Sequence, residues 1–440
     1  MKISDICYKK LDEVQQMPRF DMSKKPQKVK WFLVPVTWLM SYPEDFICKV
    51  KINKIGMKGQ KGNYLLLCNH NSFIDFKVAT KAIFPKMANY VVAIDGFINR
   101  EKLMRNVGCI GKRKFISDVS LIRQLKHSLK KINYICAIYP EARYSHVGTN
   151  SILPESLGQM IKRFEVPVVT LITKGDHLRQ PVWNLNKRKV DIVADMKKIL
   201  SVEDIAKMSS DDINKLINEE FQYDDYKYQL ENNIKIDYED RAKNIDKVLY
   251  QCPYCKTEHM MYSDKNRIWC ENCKKVYEMD TLGRMGAVDG VTEFSHIPHW
   301  YEWQREEVKK QILDGTYNID IPVYIDSLPN ATGFYRLGCG RLVHNNDGFV
   351  LTMKNAYGEL TVHKKVLENY GVHVEYDYFG KGDCVSFSTY TDTYYLFPTE
   401  ARDIVTKIHF AVEELYKLKQ EEIKTKNINA KIAKESKLVQ

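Results

Sequence analysis

The chain has 440 residues, of which 44% are hydrophobic and 28% are charged. This balance is typical of a folded protein and excludes both an intrinsically disordered chain and a polytopic membrane protein. The net charge of +11 favours anionic partners, among them nucleic acid, lipid headgroups and phosphorylated substrates, without choosing between them.

The cysteine pattern and the N-terminus predict a cytoplasmic protein. Eleven cysteines are present, four in two CxxC pairs and seven scattered, which suits a reducing compartment rather than a disulfide framework. The first residues are polar and lack the apolar stretch of a signal peptide. We therefore expect the bulk of the chain to lie in the cytoplasm.

A short apolar segment near the N-terminus predicts contact with a membrane surface. Residues 31–40, WFLVPVTWLM, contain two tryptophans and Pro35, and are too short to cross a bilayer. Four lysines precede them, at Lys24, Lys25, Lys28 and Lys30. Aromatic rings at headgroup depth beside lysines are typical of an interfacial anchor, so residues 1–62 are interpreted as a membrane-interface segment. The alternative is a helix buried against the core.

Residues 63–200 have the pattern of an α/β domain. Short apolar runs rich in β-branched and aromatic residues predict buried strands at 64–68, 90–94, 134–139, 168–173 and 190–194. Between two of them, apolar residues at spacings of three and four predict an amphipathic helix, on Val119, Ile122, Leu125, Leu129 and Ile132. Strands alternating with helices indicate a mixed sheet flanked by helices.

The second half of the chain is predicted to hold four further segments. Residues 201–249 are acidic and read as a helical connector, with helix-start signals at Ser201-x-x-Asp204 and Ser209-x-x-Asp212. Residues 250–282 hold the cysteine pairs. Residues 283–420 predict a β-rich module closed by a helix at 398–418, and residues 421–440 a basic, disordered tail. Strands closed by a C-terminal helix resemble a pleckstrin-homology-like (PH-like) module.

The segment from Leu67 to Asp75 holds the residues with the clearest catalytic chemistry. His70 and Asp75 are five residues apart where a strand gives way to a helix, so they can meet only if His70 lies in the turn before the helix. An imidazole oriented by a carboxylate can deprotonate a hydroxyl, here one brought by the substrate. The alternative is that Ser72-x-x-Asp75 is a capping box in which Asp75 only satisfies backbone donors.

Asn69 to Asp75, NHxxxxD, resembles the first motif of the glycerolipid acyltransferase family, which includes the 1-acyl-sn-glycerol-3-phosphate acyltransferases. Three later segments are similar to the remaining motifs of that family in the same order, at 108–113, 139–145 and 166–172. The resemblance covers residues 30–200. It departs from the family pattern at Ala142, where glycine is usual, at Arg143, one place early, and at Thr170, where proline is common, which leaves the identity of the acceptor open.

The resemblance implies direct acyl transfer from acyl-CoA or acyl-acyl carrier protein to the hydroxyl of a lysophospholipid, without a covalent enzyme intermediate. His70 would be the general base and Asp75 its orienting partner, while Cys68 and Ser72 would be structural. The residues implied to bind the acceptor are Asn69, Lys112, Arg113, Glu141 and Arg143, with a lysine at 112 or 114 beside Arg113 on its phosphate. No catalytic cofactor is expected.

The two cysteine pairs predict a structural zinc ribbon. Cys252 and Cys255 are separated from Cys270 and Cys273 by a spacing that lets two turns present four thiolates to one tetrahedral Zn²⁺. Four cysteine ligands leave no open position for catalysis. His259, between the pairs, is interpreted as a bystander rather than a ligand.

The sequence therefore predicts a peripheral or monotopic acyltransferase of phospholipid biosynthesis at the cytoplasmic face of a membrane, most simply one acting on 1-acyl-sn-glycerol 3-phosphate. Two alternatives remain open. One is an acyltransferase with a non-glycerolipid acceptor. The other is a catalytically inactive scaffold or nucleic-acid-binding protein built around the ribbon.

Overall fold

The computed structural model describes residues 4–41, 48–60, 62–116 and 118–438, with only the backbone described at residues 40 and 430–438. Two short helices, α1 (Leu11–Gln16) and α2 (Val34–Ser41), precede the first strand. Leu11 and Val14 of α1 are buried in a core shared with the C-terminal half of the chain, whereas much of α2 is exposed.

A seven-stranded mixed sheet forms the first unit. In chain order its strands are β1 (Val50–Ile55), β2 (Leu65–Cys68), β3 (Ala88–Ala93), β4 (Ile110–Lys112), β5 (Ile135–Ile138), β6 (Val168–Lys174) and β7 (Ile192–Leu200). They lie in the order β1-β7-β6-β2-β5-β3-β4, and every neighbouring pair is parallel except β6 and β7. The connecting helices are α3 (Asp75–Ile83), α4 (Glu101–Asn106), α5 (Val119–Lys126), α6 (Leu157–Phe164) and α7 (Asp176–Arg179).

This mixed α/β sheet with flanking helices confirms the predicted architecture, and all five predicted strands occur. β1 and β4 were not predicted: β1 lies at a sheet edge and alternates apolar residues with lysine and asparagine, and β4 has only three residues. The carboxyl ends of β2, β3, β4, β5 and β6 meet at one edge, which is where parallel sheets place their ligand sites.

The predicted helical connector contains three helices, α8 (Val202–Lys207), α9 (Ser210–Glu220) and α10 (Asp225–Glu231). Both predicted capping boxes are confirmed, since Ser201 and Ser209 exchange side-chain and backbone hydrogen bonds with Asp204 and Asp212. Ile213 and Ile217 of α9 are buried in the core that holds α6. The connector is thus packed on the α/β unit.

The ribbon is a small antiparallel sheet of β8 (Met261–Asp264), β9 (Arg267–Cys270), β10 (Val276–Met279) and β11 (Met285–Ala287). Helix α11 (Ile297–Leu313) follows and packs beneath it, with Trp300 fully buried against Tyr277 at a centroid distance of 5.0 Å. Ribbon and α11 therefore share one core.

The C-terminal module is a second seven-stranded sheet, antiparallel throughout, closed by a helix. Its strands are β12 (Ile319–Ser327), β13 (Tyr335–Asn345), β14 (Gly348–Asn355), β15 (Gly358–Lys365), β16 (His373–Glu375), β17 (Cys384–Ser388) and β18 (Thr393–Pro398). They lie in the order β15-β14-β13-β12-β18-β17-β16, and helix α12 (Ile404–Leu438) contacts β16, β17 and α11.

Helix α12 continues through the region that the sequence predicts to be a disordered tail. Ion pairs three and four residues apart join Glu422 to Lys419 at 2.8 Å and to Lys426 at 2.5 Å. Such spacings stabilise a helix, and lysine and glutamate are good helix formers, so a high charge density did not imply disorder here.

The α/β unit and the C-terminal module also share a core. Tyr378, Tyr395 and Phe397 of the module cluster with Phe97 and other buried residues of the α/β unit. Among the described residues, no helix combines the length and the apolar character that crossing a membrane requires.

Candidate active site

His70 and Asp75 meet in the way that the geometry of the sequence predicts. His70 lies in the turn after β2, Asp75 is the first residue of α3, and His70 Nδ1 is 2.8 Å from Asp75 Oδ2. The backbone N–H groups of Asn71 and Ser72 also donate to the Asp75 carboxylate, at 2.9 and 3.1 Å. Asp75 thus satisfies backbone donors and orients the imidazole at once, so the two readings of the sequence do not exclude each other.

The imidazole is held from several sides but is not sealed in the interior. Its ring lies between the rings of Tyr139 and Tyr144, at centroid distances of 4.5 and 4.0 Å, and the His70 side chain remains 18% exposed. The backbone carbonyl of His70 accepts a 2.7 Å hydrogen bond from the Ser145 N–H. The turn after β5 therefore clamps the turn after β2.

Glu141, predicted to contact the acceptor, supports the backbone of His70 instead. Its carboxylate accepts hydrogen bonds from the N–H groups of His70 at 2.8 Å and Ser151 at 2.7 Å, and from the Tyr223 hydroxyl at 3.0 Å. Burial raises the pKa of Glu141 to about 7, against the hydrogen bonds that favour its charged form. Glu141 does not line the cavity described below.

Arg143 is also turned away from the cavity. Its guanidinium donates to Glu413 of α12, at 3.1 Å from Nη2 and 3.3 Å from Nε, and all of these groups are buried. The predicted contact with the acceptor has no support from this placement. The residue between Glu141 and Arg143, Ala142, has φ of +57°, a left-handed conformation that explains why glycine is usual there.

The basic residues at the end of β4 and just after it lie in two environments. Lys112 and Lys114 are half-buried and line the cavity that contains His70. Arg113 is buried on the opposite side. There its guanidinium donates to the carbonyls of Leu328, Pro329 and Thr391 and to the Thr393 hydroxyl, at 2.9 to 3.0 Å. The phosphate contact that the sequence predicts for Arg113 therefore has no support from this placement, whereas its two neighbours face the cavity.

Asn69 joins two strands rather than facing a ligand. Its side-chain amide accepts from the Thr173 N–H at 2.8 Å and donates to the Thr173 carbonyl at 2.9 Å, so β2 and β6 are fixed together beside His70. Asn69 is buried and does not line the cavity.

The cavity beside His70 has a volume of about 340 Å³ and lies at the carboxyl edge of the sheet, under α5 and α6. Its apolar wall consists of Val91, Ala93, Ile116, Val119, Leu121, Ile122, Leu125, Ile138, Leu157 and Met160, with Pro140 and Pro154. Its polar groups include the two lysines, Asp118, Gln159 and Arg163. Tyr370 reaches the cavity from the C-terminal module.

Burial shifts the pKa values of His70 and Asp75. Together with the Lys114 ammonium, burial lowers the pKa of His70 to about 3, while the Glu375 carboxylate acts in the opposite direction. Burial raises the pKa of Asp75 to about 8, although neighbouring hydrogen bonds favour its charged form. Because the two side chains share a hydrogen bond, the proton lost near pH 8 belongs to the pair, and its loss leaves a neutral imidazole beside a carboxylate.

Two sets of residues at this site were not predicted from the sequence. Asp176 is fully buried and accepts from the Asn71 side-chain amide at 3.1 Å, and its own side chain hydrogen-bonds to Asp75. A carboxylate just after β6, the strand beside β2, was a readable signal. His373 of the C-terminal module, which contacts Lys114, could not be predicted from the sequence, because the two residues are more than 250 positions apart.

The four cysteines form one cluster. Their sulfur atoms all lie within 4.8 Å of one another, with Cys252 to Cys273 and Cys255 to Cys270 both at 3.7 Å. Four thiolates at about 2.3 Å from a tetrahedral Zn²⁺ would be about 3.8 Å apart, so the cluster fits a structural metal ion. His259 lies outside this cluster and stacks on Tyr250.

No known protein family and no curated protein matched the sequence. A search of solved structures matched the 1-acyl-sn-glycerophosphate (LPA) acyltransferase PlsC from Thermotoga maritima. The match has 12% sequence identity and a TM-score of 0.37, over 43% of this chain and 77% of that one. A likeness at this TM-score supports neither a fold nor an activity. The proposed function is therefore based on the geometry of the site.

Proposed function

We propose that this protein is an O-acyltransferase that moves a fatty acyl group from acyl-CoA or acyl-acyl carrier protein to the free hydroxyl of a lysophospholipid, in phospholipid biosynthesis. The acceptor that we favour is 1-acyl-sn-glycerol 3-phosphate. One observation carries the proposal: His70, oriented by the buried Asp75 at 2.8 Å, lines an apolar cavity that also presents two lysines.

The chemistry follows from the orientation of the pair. With Nδ1–H donated to Asp75, Nε2 of His70 carries the lone pair and takes the proton of the acceptor hydroxyl. The hydroxyl oxygen then attacks the thioester carbonyl to form a tetrahedral oxyanion. Collapse of this intermediate breaks the carbon–sulfur bond, and the thiolate leaves with the proton held by the imidazolium. The ester forms without a covalent bond to the protein.

The cavity suits both substrates of this reaction. An apolar wall built from α5, α6, β3 and β5 gives a fatty acyl chain a dry surface, which stabilises its binding by about 0.8 kcal/mol for each buried methylene group. Lys112 and Lys114 place ammonium groups in the same cavity, where they can donate to a phosphate. We assign the acceptor phosphate to these lysines in place of Arg113.

The protein is further proposed to bind an anionic bilayer through α2 and the turn Trp31–Leu33 before it, as a peripheral or monotopic protein of the cytoplasmic face. Trp31 and Leu39 are 84% and 73% exposed, and Trp38 packs on Phe84 of the α3 end at 4.9 Å. Phe73, beside the catalytic turn, is exposed too. The four lysines before α2 are exposed and complement anionic headgroups. This arrangement would place the catalytic pair near the membrane surface.

Two further assignments belong to the proposal. The metal of the cysteine cluster is zinc in a purely structural role, because four thiolates leave no open coordination position. The C-terminal module is PH-like: two antiparallel groups, β12–β15 and β16–β18, are joined in one sheet and closed by a C-terminal helix.

The decisive experiment is an acyl-transfer assay on the purified protein with labelled acyl-CoA and a panel of lysolipids. Because a positioned general base contributes about 10²- to 10⁴-fold, His70→Ala is expected to lower turnover at least a hundredfold. His363→Ala, at an exposed histidine of β15, is the control and should retain full activity. Retained turnover in His70→Ala, or none in the wild type with any acceptor, would favour the scaffold or nucleic-acid-binding class.

Membrane binding is tested separately by sedimentation with vesicles. Trp31→Ser combined with Leu39→Ser should weaken binding to phosphatidylglycerol vesicles at least tenfold, because each side chain loses about 1.5 to 3 kcal/mol of apolar burial. The matched control replaces two other exposed apolar residues, Val291 and Tyr390, by serine. Equal losses in both double variants would contradict a membrane face at α2.

A further inference from the structure

A buried polar cluster links the C-terminal module to the catalytic cavity. Lys114, which lines the cavity with His70, has its Nζ atom 2.6 Å from Nε2 of His373. The same Nε2 atom is 2.6 Å from Glu375 Oε1, and the His373 side chain is fully buried. His373 and Glu375 both lie on β16, a short edge strand, close in sequence to Tyr370 of the cavity wall.

The chemistry of the three groups fixes the ammonium in place. The side chain of a lysine carries about 2 kcal/mol of rotamer entropy, and an unsupported lysine at a cavity wall extends toward solvent. Here Nε2 of His373, when it carries no proton, accepts from the Lys114 ammonium, and the Glu375 carboxylate beside the ring supplies a negative counter-charge. Among the described residues, His373 is the only hydrogen-bond partner of Lys114, which leaves two of the three N–H groups for a ligand.

Counter-charges surround the same ammonium group. Asp95 accepts hydrogen bonds from the hydroxyls of Tyr378 at 2.7 Å and Tyr395 at 3.2 Å, both from the C-terminal module. Burial lowers the pKa of Lys114, and the carboxylates of Asp95 and Glu375 act in the opposite direction. The module therefore supplies one of the two carboxylates that favour the charged form of Lys114, and two hydroxyls that hold the other.

We propose that His373 and Glu375 are positioning residues for Lys114, through which the C-terminal module completes an anion-binding wall of the catalytic cavity. The ligand class is a phosphate monoester, because the wall presents two ammonium groups, Lys112 and Lys114, beside an apolar surface. The inference rests on the proposed function for its substrate, but the site can be tested by binding alone. It also gives the C-terminal module a role in catalysis.

The experiment measures binding by calorimetry to the full chain carrying His70→Ala, with no acyl donor present, so that no acyl transfer occurs. The ligands are a soluble short-chain lysophosphatidic acid, the matching monoacylglycerol without phosphate, and coenzyme A. His373→Gln and Glu375→Gln are each compared with His363→Gln, at an exposed histidine of the same module. Lys114→Met tests the cation itself, and the melting temperature of each variant reports its folding.

His373→Gln and Glu375→Gln should each weaken binding of the phosphate-bearing lipid about tenfold, and Lys114→Met should weaken it further. Binding of the monoacylglycerol, which lacks the phosphate, should not change. A variant that merely misfolds would weaken the binding of both lipids. The His363→Gln control should match the parent chain.

The two phosphate sources are separated by the ligand that responds. A loss for lysophosphatidic acid assigns the wall to the acceptor, and a loss for coenzyme A assigns it to the donor. Should Lys114→Met weaken neither, or should both module variants bind as the control does, the inference is overturned. These measurements need no acyl transfer. The binding result can therefore support the anion-binding wall even if the activity assay fails, and the activity assay can succeed even if the wall does not bind phosphate.

Discussion

The hydrogen bond between His70 and Asp75 makes the pair a single titrating unit. Burial raises the pKa of Asp75 to about 8. Below that pH the hydrogen-bonded pair therefore carries one proton more than the form in which His70 can act as a base. Above that pH the imidazole is neutral and the carboxylate is charged. Activity should therefore follow the loss of this proton.

We expect kcat/KM for acyl transfer to rise with pH through about 8 and then to level off. The reason is that only the deprotonated pair can accept the proton of the substrate hydroxyl. The measurement is a pH–rate profile at subsaturating acceptor, with a thioester hydrolysis blank at each pH. Asp75→Asn should remove the rising limb and lower the rate, and a flat profile in the wild type would contradict the assignment.

At this scale, the sequence predicts what is local and misses what depends on distant partners. The contact between His70 and Asp75 can be predicted because the two residues are only five apart and are joined by a single turn. The environments of Glu141 and Arg143 follow from Tyr223 and Glu413, which no local pattern connects to them. The motif alone predicts Arg113 as a phosphate ligand. Only the structure shows that its side chain points away from the cavity.

At the scale of secondary-structure elements, buried strands and the ribbon are the most predictable parts. The five apolar runs correspond to β2, β3, β5, β6 and β7, of which β2 and β5 are buried throughout and the others in part. An edge strand such as β1 shows no such run. The cysteine cluster is predictable for a different reason. Each CxxC pair forms a tight turn that presents two thiolates, so the sequence spacing of two such pairs already indicates four ligands for one metal ion.

Removing the metal should unfold the ribbon and loosen what packs on it. Metal analysis of the reduced protein is expected to find one zinc ion per chain, and Cys252→Ser should lose it together with a large fraction of the stability of the C-terminal half, since structural zinc contributes on the order of 10 kcal/mol. Limited proteolysis within residues 250–290 reports the loss.

The control for this prediction is Cys339→Ser, at an exposed cysteine of β13 that lies outside the cluster. It should retain the metal and the proteolysis pattern of the wild type. Purified, reduced protein without zinc would refute the prediction.

On the scale of the whole molecule, charged side chains bind the units to each other. Glu413 of α12 accepts from Arg143 of the α/β unit at 3.1 Å and from Arg305 of α11 at 2.6 Å, and all three are buried. Burial opposes the charge of Glu413, but the two guanidinium groups hold its pKa below the usual value. The stability from this cluster is present above pH 4.5 and is lost as the pH falls below it.

Glu413→Gln should destabilise the protein by about 3 to 5 kcal/mol at neutral pH, because the buried Arg143 loses its carboxylate partner, whereas Arg305 keeps Glu302 and Glu414. Chemical denaturation gives the free energy of unfolding. Glu421→Gln, at an exposed glutamate of the same helix, is the matched control and should change it by less than about 0.5 kcal/mol. Equal values for the two variants would show that the cluster does not hold the units together.

The alternation at the end of β4 has a consequence for how this sequence can change during evolution. Lys112 and Lys114 face the cavity while Arg113 anchors the chain to the C-terminal module. Deleting or inserting a single amino acid just upstream would move the guanidinium into the cavity and one of the two ammonium groups into the shell of carbonyls around position 113. Homologues should therefore tolerate exchange of lysine and arginine here more readily than any change in the spacing to β4.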